Sequence, residues 1–380
     1  MIGSRLITAL CLAVLAAPAG AADYLVRADG GGEQPTIAAA LAVAISGDTI
    51  TLADGTFTGP GNRDLDFESR PLVLRSQGDD PAACVIDCGG GPGEGHRGLH
   101  FHMGEGPAAL VRGITITGGF LEEGGDEAGG AVLCEGASPT FINCVFEGNQ
   151  AHVGGALCIR GGSPLLQDCR AADNYATWCG GGLACEQGAA PMLADCRVTG
   201  NIADYGGGVL CDQSSPELTG CALLDNEALV RGGGLYCGDW SRPVLTACTL
   251  AANTAPAGSG LSAVYQAEAE LARCLVVLGE GGAAVEVLYG AAASLECSDV
   301  WGNAGGDWDG AIAGQLGQDG NIEEDPQFCG AAAGDYTLQS DSPCAAAQSV
   351  CGAMGAFPVL CGADATPYRT WSAIKSLYGF

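Results

Sequence analysis

A unit of roughly 26 residues recurs five times between residues 129 and 255, and it restricts the possible folds of this chain more than any other feature. Each copy opens on a glycine-rich run ending in cysteine: Gly129 to Cys134, Val153 to Cys158, Gly180 to Cys185, Gly206 to Cys211 and Gly232 to Cys237. These cysteines step by 24, 27, 26 and 26 residues. A proline follows, with a second cysteine five residues beyond it, in Pro139 to Cys144, Pro164 to Cys169, Pro191 to Cys196, Pro216 to Cys221 and Pro243 to Cys248. Five residues after that cysteine stands an asparagine in every copy, namely Asn149, Asn174, Asn201, Asn226 and Asn253, and two further on an alanine. A degenerate copy ends at Cys297 and Asn303.

Glycine pairs, a proline and an asparagine in each unit would break any helix of ordinary length, so the pieces between them read as short strands. In Cys144-x-Phe146, Cys221-x-Leu223 and Cys248-x-Leu250 the alternation places cysteine and the next apolar residue on one face, and the three-residue step before cysteine predicts a bend. A strand unit of this size cannot bury its apolar face alone and must stack on the next copy, so equivalent residues lie one above another at about 4.8 Å. The expected product is a solenoid with side-chain ladders. The asparagines should supply the left-handed residue of a turn and hydrogen-bond along their column. Cys134, Cys158, Cys185, Cys211 and Cys237 should form one column, and Cys144, Cys169, Cys196, Cys221 and Cys248 another. Disulfides along a column, disulfides across the coil and a ladder of buried thiols all remain open. Cys84 and Cys88 are expected to bond to other segments rather than to each other.

Only 16% of the 380 residues are charged, yet Lys+Arg 15 against Asp+Glu 44 leaves a net charge of −29, and Lys375 is the one lysine. No basic stripe can be built from that inventory, which excludes nucleic acid and anionic membranes as partners. Residues 1–21 read as a secretory signal: Arg5 gives the positive start, Leu6 to Ala17 the apolar run, and Ala19-Gly20-Ala21 the cleavage site. The mature chain is expected to be secreted or held at the cell surface, to be a monomer, and to carry no membrane span. Loss of Cys11 with the signal leaves 19 of the 20 cysteines, so at least one thiol stays free or pairs between molecules.

The segments Tyr24-Leu25-Val26-Arg27, Pro35-Thr36-Ile37 leading to Ala44, Gly47 to Leu52 and Gly55-Thr56-Phe57 resemble the helix-capped opening of the right-handed parallel β-helix of the pectate-lyase-like superfamily. Ala109 to Gly119 resembles one of its coils. Glu324 to Phe328, Gly334 to Leu338, Ser342-Pro343 and Cys351 to Phe357 resemble the closing segment of uncharacterised secreted bacterial members. A weaker resemblance, in Gly129 to Val132 and Phe146 to Asn149, is to the repeats of polymorphic outer-membrane adhesins. The resemblance implies an all-β, right-handed parallel β-helix solenoid with a short N-terminal capping helix. At one repeat per coil the chain is long enough for about ten coils. Residues 22–68 then form the cap and first strands, 69–303 the coils, 304–361 a closing segment, and 362–380 a tail that sorts or docks, with Trp371, Ile374 and Tyr378 at helical spacing.

Within that superfamily, the resemblance implies that lyases use calcium-binding aspartates with a proton-abstracting basic residue and that hydrolases use clustered aspartates. The hydrolase motif series is absent, Gly95-His96-Arg97 being only a fragment of it, and no aspartate pair recurs beside Arg160, Arg231 or Arg242. No catalytic constellation is therefore assigned. The segment between the asparagine turn and the next glycines carries His152, Trp178, Tyr205 and Arg231 in successive copies, a strip suited to stacking on sugar rings. The expected role is a scaffold that binds polysaccharide or another cell-surface partner. The alternatives are a polysaccharide lyase or glycoside hydrolase acting on acidic glycans and, third, an adhesin or structural surface protein. No cofactor is expected and no zinc site is present, since no Cys-x-x-Cys occurs and His96, His100, His102 and His152 lack partners at ligand spacing. Asp299, Asp307, Asp309, Asp319, Glu323, Glu324 and Asp325 offer oxygens of the kind Ca²⁺ takes, but without EF-hand spacing, and are read as a solvated acidic cap.

Overall fold

The computed structural model describes residues 20–121 and 127–362. The expected signal, apart from Gly20 and Ala21, and the expected tail, apart from Gly362, lie outside the described residues.

One full turn of chain runs through four strands, Thr140–Ile142, Val145–Glu147, Gln150–Val153 and Leu157–Arg160, before Leu165–Gln167 begins the next. Each strand pairs in parallel with its equivalent one coil away, which builds four sheets of eleven, ten, six and nine strands. Eleven strands in the longest sheet put the coil number slightly above the ten expected from length. The helix Ile37–Val43 begins where Thr36 Oγ1 accepts a hydrogen bond from Ala39 N at 3.2 Å, and buries Ile37, Ala40 and Leu41 over the first coil.

Inside the coils, like residues stack. Val111, Phe141, Leu166, Leu193, Leu218, Leu245 and Leu271 form one continuous ladder in register, all but fully buried. The edge-to-face contacts Phe67–Phe101, Phe101–Phe141 and Phe141–Phe146, with centroids 5.0, 5.9 and 5.7 Å apart, fill the N-terminal coils. The bend before the second cysteine is a single left-handed residue, at Asn143, Asp168, Asp195, Gly220 and Ala247.

Two expectations about the columns need correction. The left-handed residue at the next corner is the one before each asparagine, Gly148, Asp173, Gly200, Asp225 and Ala252, and the asparagine itself points inward. Each amide Nδ2 donates to the Oδ1 of the next asparagine, Asn149 to Asn174 at 3.1 Å and onward to Asn201, Asn226 and Asn253 at 2.9 to 3.0 Å. Cys158, for its part, does not stand in the first cysteine column. Cys134 registers with Ile159, and Ile159 with Cys185, whereas Cys158 registers with Leu133 and Ala184. Its step of 24 is one residue short of register, and a one-residue offset turns a strand side chain to the opposite face.

The second column, Cys144, Cys169, Cys196, Cys221 and Cys248, is a ladder of buried free thiols that continues to Cys274. Each of these thiols donates weakly to a backbone carbonyl of the preceding coil, as from Cys196 to Leu166 O at 3.4 Å. Burial pushes Cys144, Cys196 and Cys248 well up, which withholds the thiolate that disulfide exchange needs. Cys84 and Cys88 are buried free thiols as well, not the bridged residues expected. The two disulfides, Cys297–Cys351 and Cys329–Cys361, both tie the closing segment.

That segment folds back along the ten-stranded sheet. Tyr336, Leu338, Cys344, Met354 and Phe357 cover its outer residues Ala222, Leu224, Ala251, Leu275 and Val277, and the Arg197 guanidinium lies 5.0 Å from the Phe357 ring centre.

Successive coils touch backbone to backbone where the glycine runs stack. Gly206 takes φ +65°, and a Cβ on Gly207 would run into the main chain at Glu227. Gly207→Ala is therefore expected to lower stability by about 2–3 kcal/mol, read as a reduced urea midpoint, whereas Gly188→Ala, with nothing near it but a positive φ, should cost about 1 kcal/mol.

Candidate functional site: an aromatic groove edged with carboxylates

The four residues singled out on the variable segment sit on neighbouring strands of the six-stranded sheet: Gln150–Val153, Tyr175–Cys179, Ile202–Tyr205 and Glu227–Arg231. They do not occupy a single register position. Tyr205 pairs with Cys179 and Arg231, and Val153 pairs with Cys179, so His152 and Trp178 come one residue earlier than Tyr205 and Arg231. The register shifts in these strands are bulges, which re-aim side chains. The rings still form one row: His152 and Trp178 stack with centroids 6.4 Å apart, and Trp178 meets Tyr205 edge-on at 5.1 Å. Tyr205 then meets Tyr236 at 5.4 Å.

Tyr236 belongs to the next side of the coil. It lies one residue before the inward Cys237 in the strand Leu235–Gly238, so it faces out. Together the row and the outer face of the nine-stranded sheet enclose a groove of about 350 Å³. Trp178, Tyr205, Tyr236, Tyr265 and Tyr289 supply its rings, Glu186, Asp212 and Asp239 its carboxylates, and Arg231 its cation. His152 extends the aromatic row beyond the groove and donates to or accepts from Thr177 Oγ1 through Nδ1 at 2.7 Å.

Tyr265 and Tyr289 are half-exposed or more, stand one coil apart, and stack at 5.0 Å with their rings only 10° from parallel. Both have positive φ, 52° and 53°, at a corner where the earlier coils use Gly136 and Gly161 and then Gln187, Gln213 and Asp239. An aromatic residue in the left-handed region costs roughly 1 kcal/mol.

Charges in the groove are unevenly satisfied. Arg231 Nη1 donates to Glu286, a hydrogen bond that holds the guanidinium pKa above its usual value, and the other Glu286 oxygen accepts from Ser262 Oγ at 2.8 Å. Glu186 accepts from Arg160 Nε at 3.2 Å. Asp212 has no such cation among the described residues, and its Oδ1 is buried without a hydrogen-bond partner there. Its carboxyl is pushed up first by desolvation, then by the charges of Asp239 and Glu186.

Sequence reasoning missed Tyr236, Tyr265, Tyr289 and the three carboxylates. A signal for Tyr236 exists, because the residue preceding an inward-facing cysteine must face outward. The spacing of 24 between Tyr265 and Tyr289, close to one coil, is a second.

The other three histidines lie apart from the groove, on their own acidic partners. His100 and His102 stack at 4.3 Å and pair with Glu135 at 3.0 Å and Asp66 at 2.9 Å, and His96 pairs with Asp64 at 2.7 Å. The acidic stretch 299–325 is dispersed, with Asp307 capping the turn at Gly302 and Asn303, Asp309 capping the 3-10 helix Gly310–Gln315, and Asp299 buried. Among the described residues no group of three or more His, Cys, Asp or Glu side chains could hold a metal ion.

Four parallel sheets wound into one solenoid, with an open groove on the outside, define a parallel β-helix protein. The family described as a right handed beta helix region matches residues 102–300, more than half of the chain, and this chain belongs to it. Among solved structures, pectate lyase Pel9A is similar, with a TM-score of 0.52 at 14% identity over 90% of this chain and 95% of that one. A pectin methylesterase from Aspergillus niger aligns over 82% of this chain and 91% of its own with 15% identity and a TM-score of 0.42. No curated protein matches the chain in sequence. At 14% identity the likeness to the pectate lyase establishes the fold alone. Among the described residues no helix is long and apolar enough to cross a membrane.

Proposed function

We propose that this protein is an exported β-helix scaffold that binds polysaccharide in the groove lined by Trp178, Tyr205, Tyr236, Tyr265 and Tyr289. The observation that carries this reading is the groove itself: five aromatic rings and several hydrogen-bonding groups around about 350 Å³, the composition that sugar recognition uses. The pectate lyase whose fold it shares acts on a polysaccharide, and the two disulfides of the closing segment fit an oxidising compartment. Residues 1–21 provide the export signal in this reading. A monomer suffices, because the groove is complete within one chain.

Trp178→Ala and Tyr205→Ala should each weaken binding of a recognised glycan about tenfold or more, measured by calorimetry or by retardation in glycan-containing gels. Melting temperatures should change little, since Trp178 is half-exposed and Tyr205 only partly covered. Unchanged affinity in both variants would remove the groove as the binding site.

A second reading, glycoside hydrolysis, is favoured by one observation: Asp212 stands in the groove beside Asp239 and is pushed toward its protonated form by burial and by that neighbour, the state a general acid needs. Release of new reducing ends from a glycan, lost in Asp212→Asn, would establish it.

A further inference from the structure

The groove's charge is at odds with the acidic polysaccharide that the structural neighbour's name implies. Of its lining residues three are carboxylates, and the single cation, Arg231, is already engaged by Glu286. Glu186 is balanced by Arg160 from outside the groove, but Asp212 and Asp239 take part in no salt bridge among the described residues. Asp212 Oδ1 in addition lies buried with an unused lone pair. A polyuronate would bring its carboxylates against these groups, and like charges in a partly desolvated site repel. An ammonium group meets the opposite situation. It donates hydrogen bonds to the exposed Asp239 carboxylate, lies beside the uncompensated charge of Asp212, and is attracted to the faces of the tyrosines around it.

Resting on the glycan-binding reading above, we infer that the groove recognises amino sugars: a glycan with free amino groups seats an ammonium beside Asp212 and Asp239 while its rings stack on Tyr236, Tyr265 and Tyr289. Aromatic residues and carboxylates enclosing one volume are the combination that organic cations select. The parallel Tyr265–Tyr289 pair extends the platform by one coil, toward the next sugar of the chain.

The test uses the full chain at physiological ionic strength, where unspecific attraction to a protein of net charge −29 is screened. Affinities are measured by calorimetry for three hexasaccharides: glucosamine, its fully N-acetylated counterpart, and galacturonate. The glucosamine oligomer should bind about tenfold or more tighter than the acetylated one, with galacturonate weakest. In the double variant Asp212→Asn and Asp239→Asn the ratio of amino to acetylated affinity should fall close to one while the acetylated oligomer keeps its affinity. A control, Glu217→Gln with Glu270→Gln, removes two exposed carboxylates on the eleven-stranded sheet and should leave the ratio intact. Equal or tighter binding of the acetylated oligomer would overturn the inference and leave the glycan groove standing, as would a control that behaves like the double variant. Binding of none of the three would remove the glycan-binding reading and this inference with it.

Discussion

Asn201→Ala should lower the free energy of unfolding by about 4 kcal/mol, the largest effect expected from any single side chain outside the apolar ladders. Asn201 is fully buried and makes four side-chain hydrogen bonds. Its Nδ2 donates to Ala171 O at 3.0 Å and to Asn226 Oδ1 at 2.9 Å, and its Oδ1 accepts from Asn174 N at 3.0 Å and Asn174 Nδ2 at 2.9 Å. Alanine leaves Ala171 O and Asn174 N without those partners inside the solenoid, and each orphaned buried group costs about 1–3 kcal/mol. The interrupted amide chain adds to this, because neighbours in a hydrogen-bonded column polarise one another. Coils contact only their neighbours, so the damage falls on the interfaces above and below Asn201 and lowers the cooperativity of unfolding. Urea unfolding followed by circular dichroism measures both. A loss below about 1 kcal/mol would mean that water replaces the amide at no cost, contrary to a sealed column.

The second large effect depends on pH. Asp299 is buried under the closing segment and its carboxyl is pushed up to about 7 from an ordinary 3.8, by desolvation first and by the Glu324 and Asp307 charges last. Glu324 N donates to its Oδ1 at 3.2 Å and the Cys344 thiol to its Oδ2 at 3.3 Å, both of which act the other way without prevailing. A carboxyl whose pKa is higher folded than unfolded binds more protons in the folded state. Stability is therefore untouched by this group below about pH 4, declines as pH rises through about 7, and carries the full cost above that. The gap corresponds to about 4 kcal/mol as an upper figure. Asp299→Asn should thus raise the melting temperature markedly at pH 8 and leave it nearly unchanged at about pH 4, with the difference opening between those values. A pH-independent difference, or destabilisation at pH 8, would show that Asp299 is held as a carboxylate by its hydrogen bonds.

The architecture was legible because the repeat is a physical requirement: a unit of about 26 residues with a strand every few positions has nowhere to bury its apolar face except on its own copy. The asparagine column was legible as a column. Its role was not, since spacing alone does not distinguish the left-handed residue of a corner from the residue after it, and the structure gives the former to Gly148, Asp173, Gly200, Asp225 and Ala252. Cys158 shows the same limit. Its motif, Gly-Gly-Ala-Leu-Cys, matches the other copies, but register is set by the ladder of the whole sheet, and there Ile159 takes the inward place.

The candidate site was half visible. Trp178, Tyr205 and Arg231 were found because they occupy equivalent variable segments, and the groove includes all three. Tyr236 and Asp212 lie on a different side of the coil, and Tyr265 and Tyr289 at a corner, so only the winding of the chain brings them within reach. Periodicity along the sequence therefore determined the solenoid, its inward ladders and the direction of its strands, all of which depend on local alternation and stacking. The tertiary structure alone decided which outward residues meet across the angle between two sheets, which cysteines pair, and that the closing segment buries Asp299. Those outcomes depend on register, bulges and packing between segments far apart in the chain, and no short-range pattern encodes them.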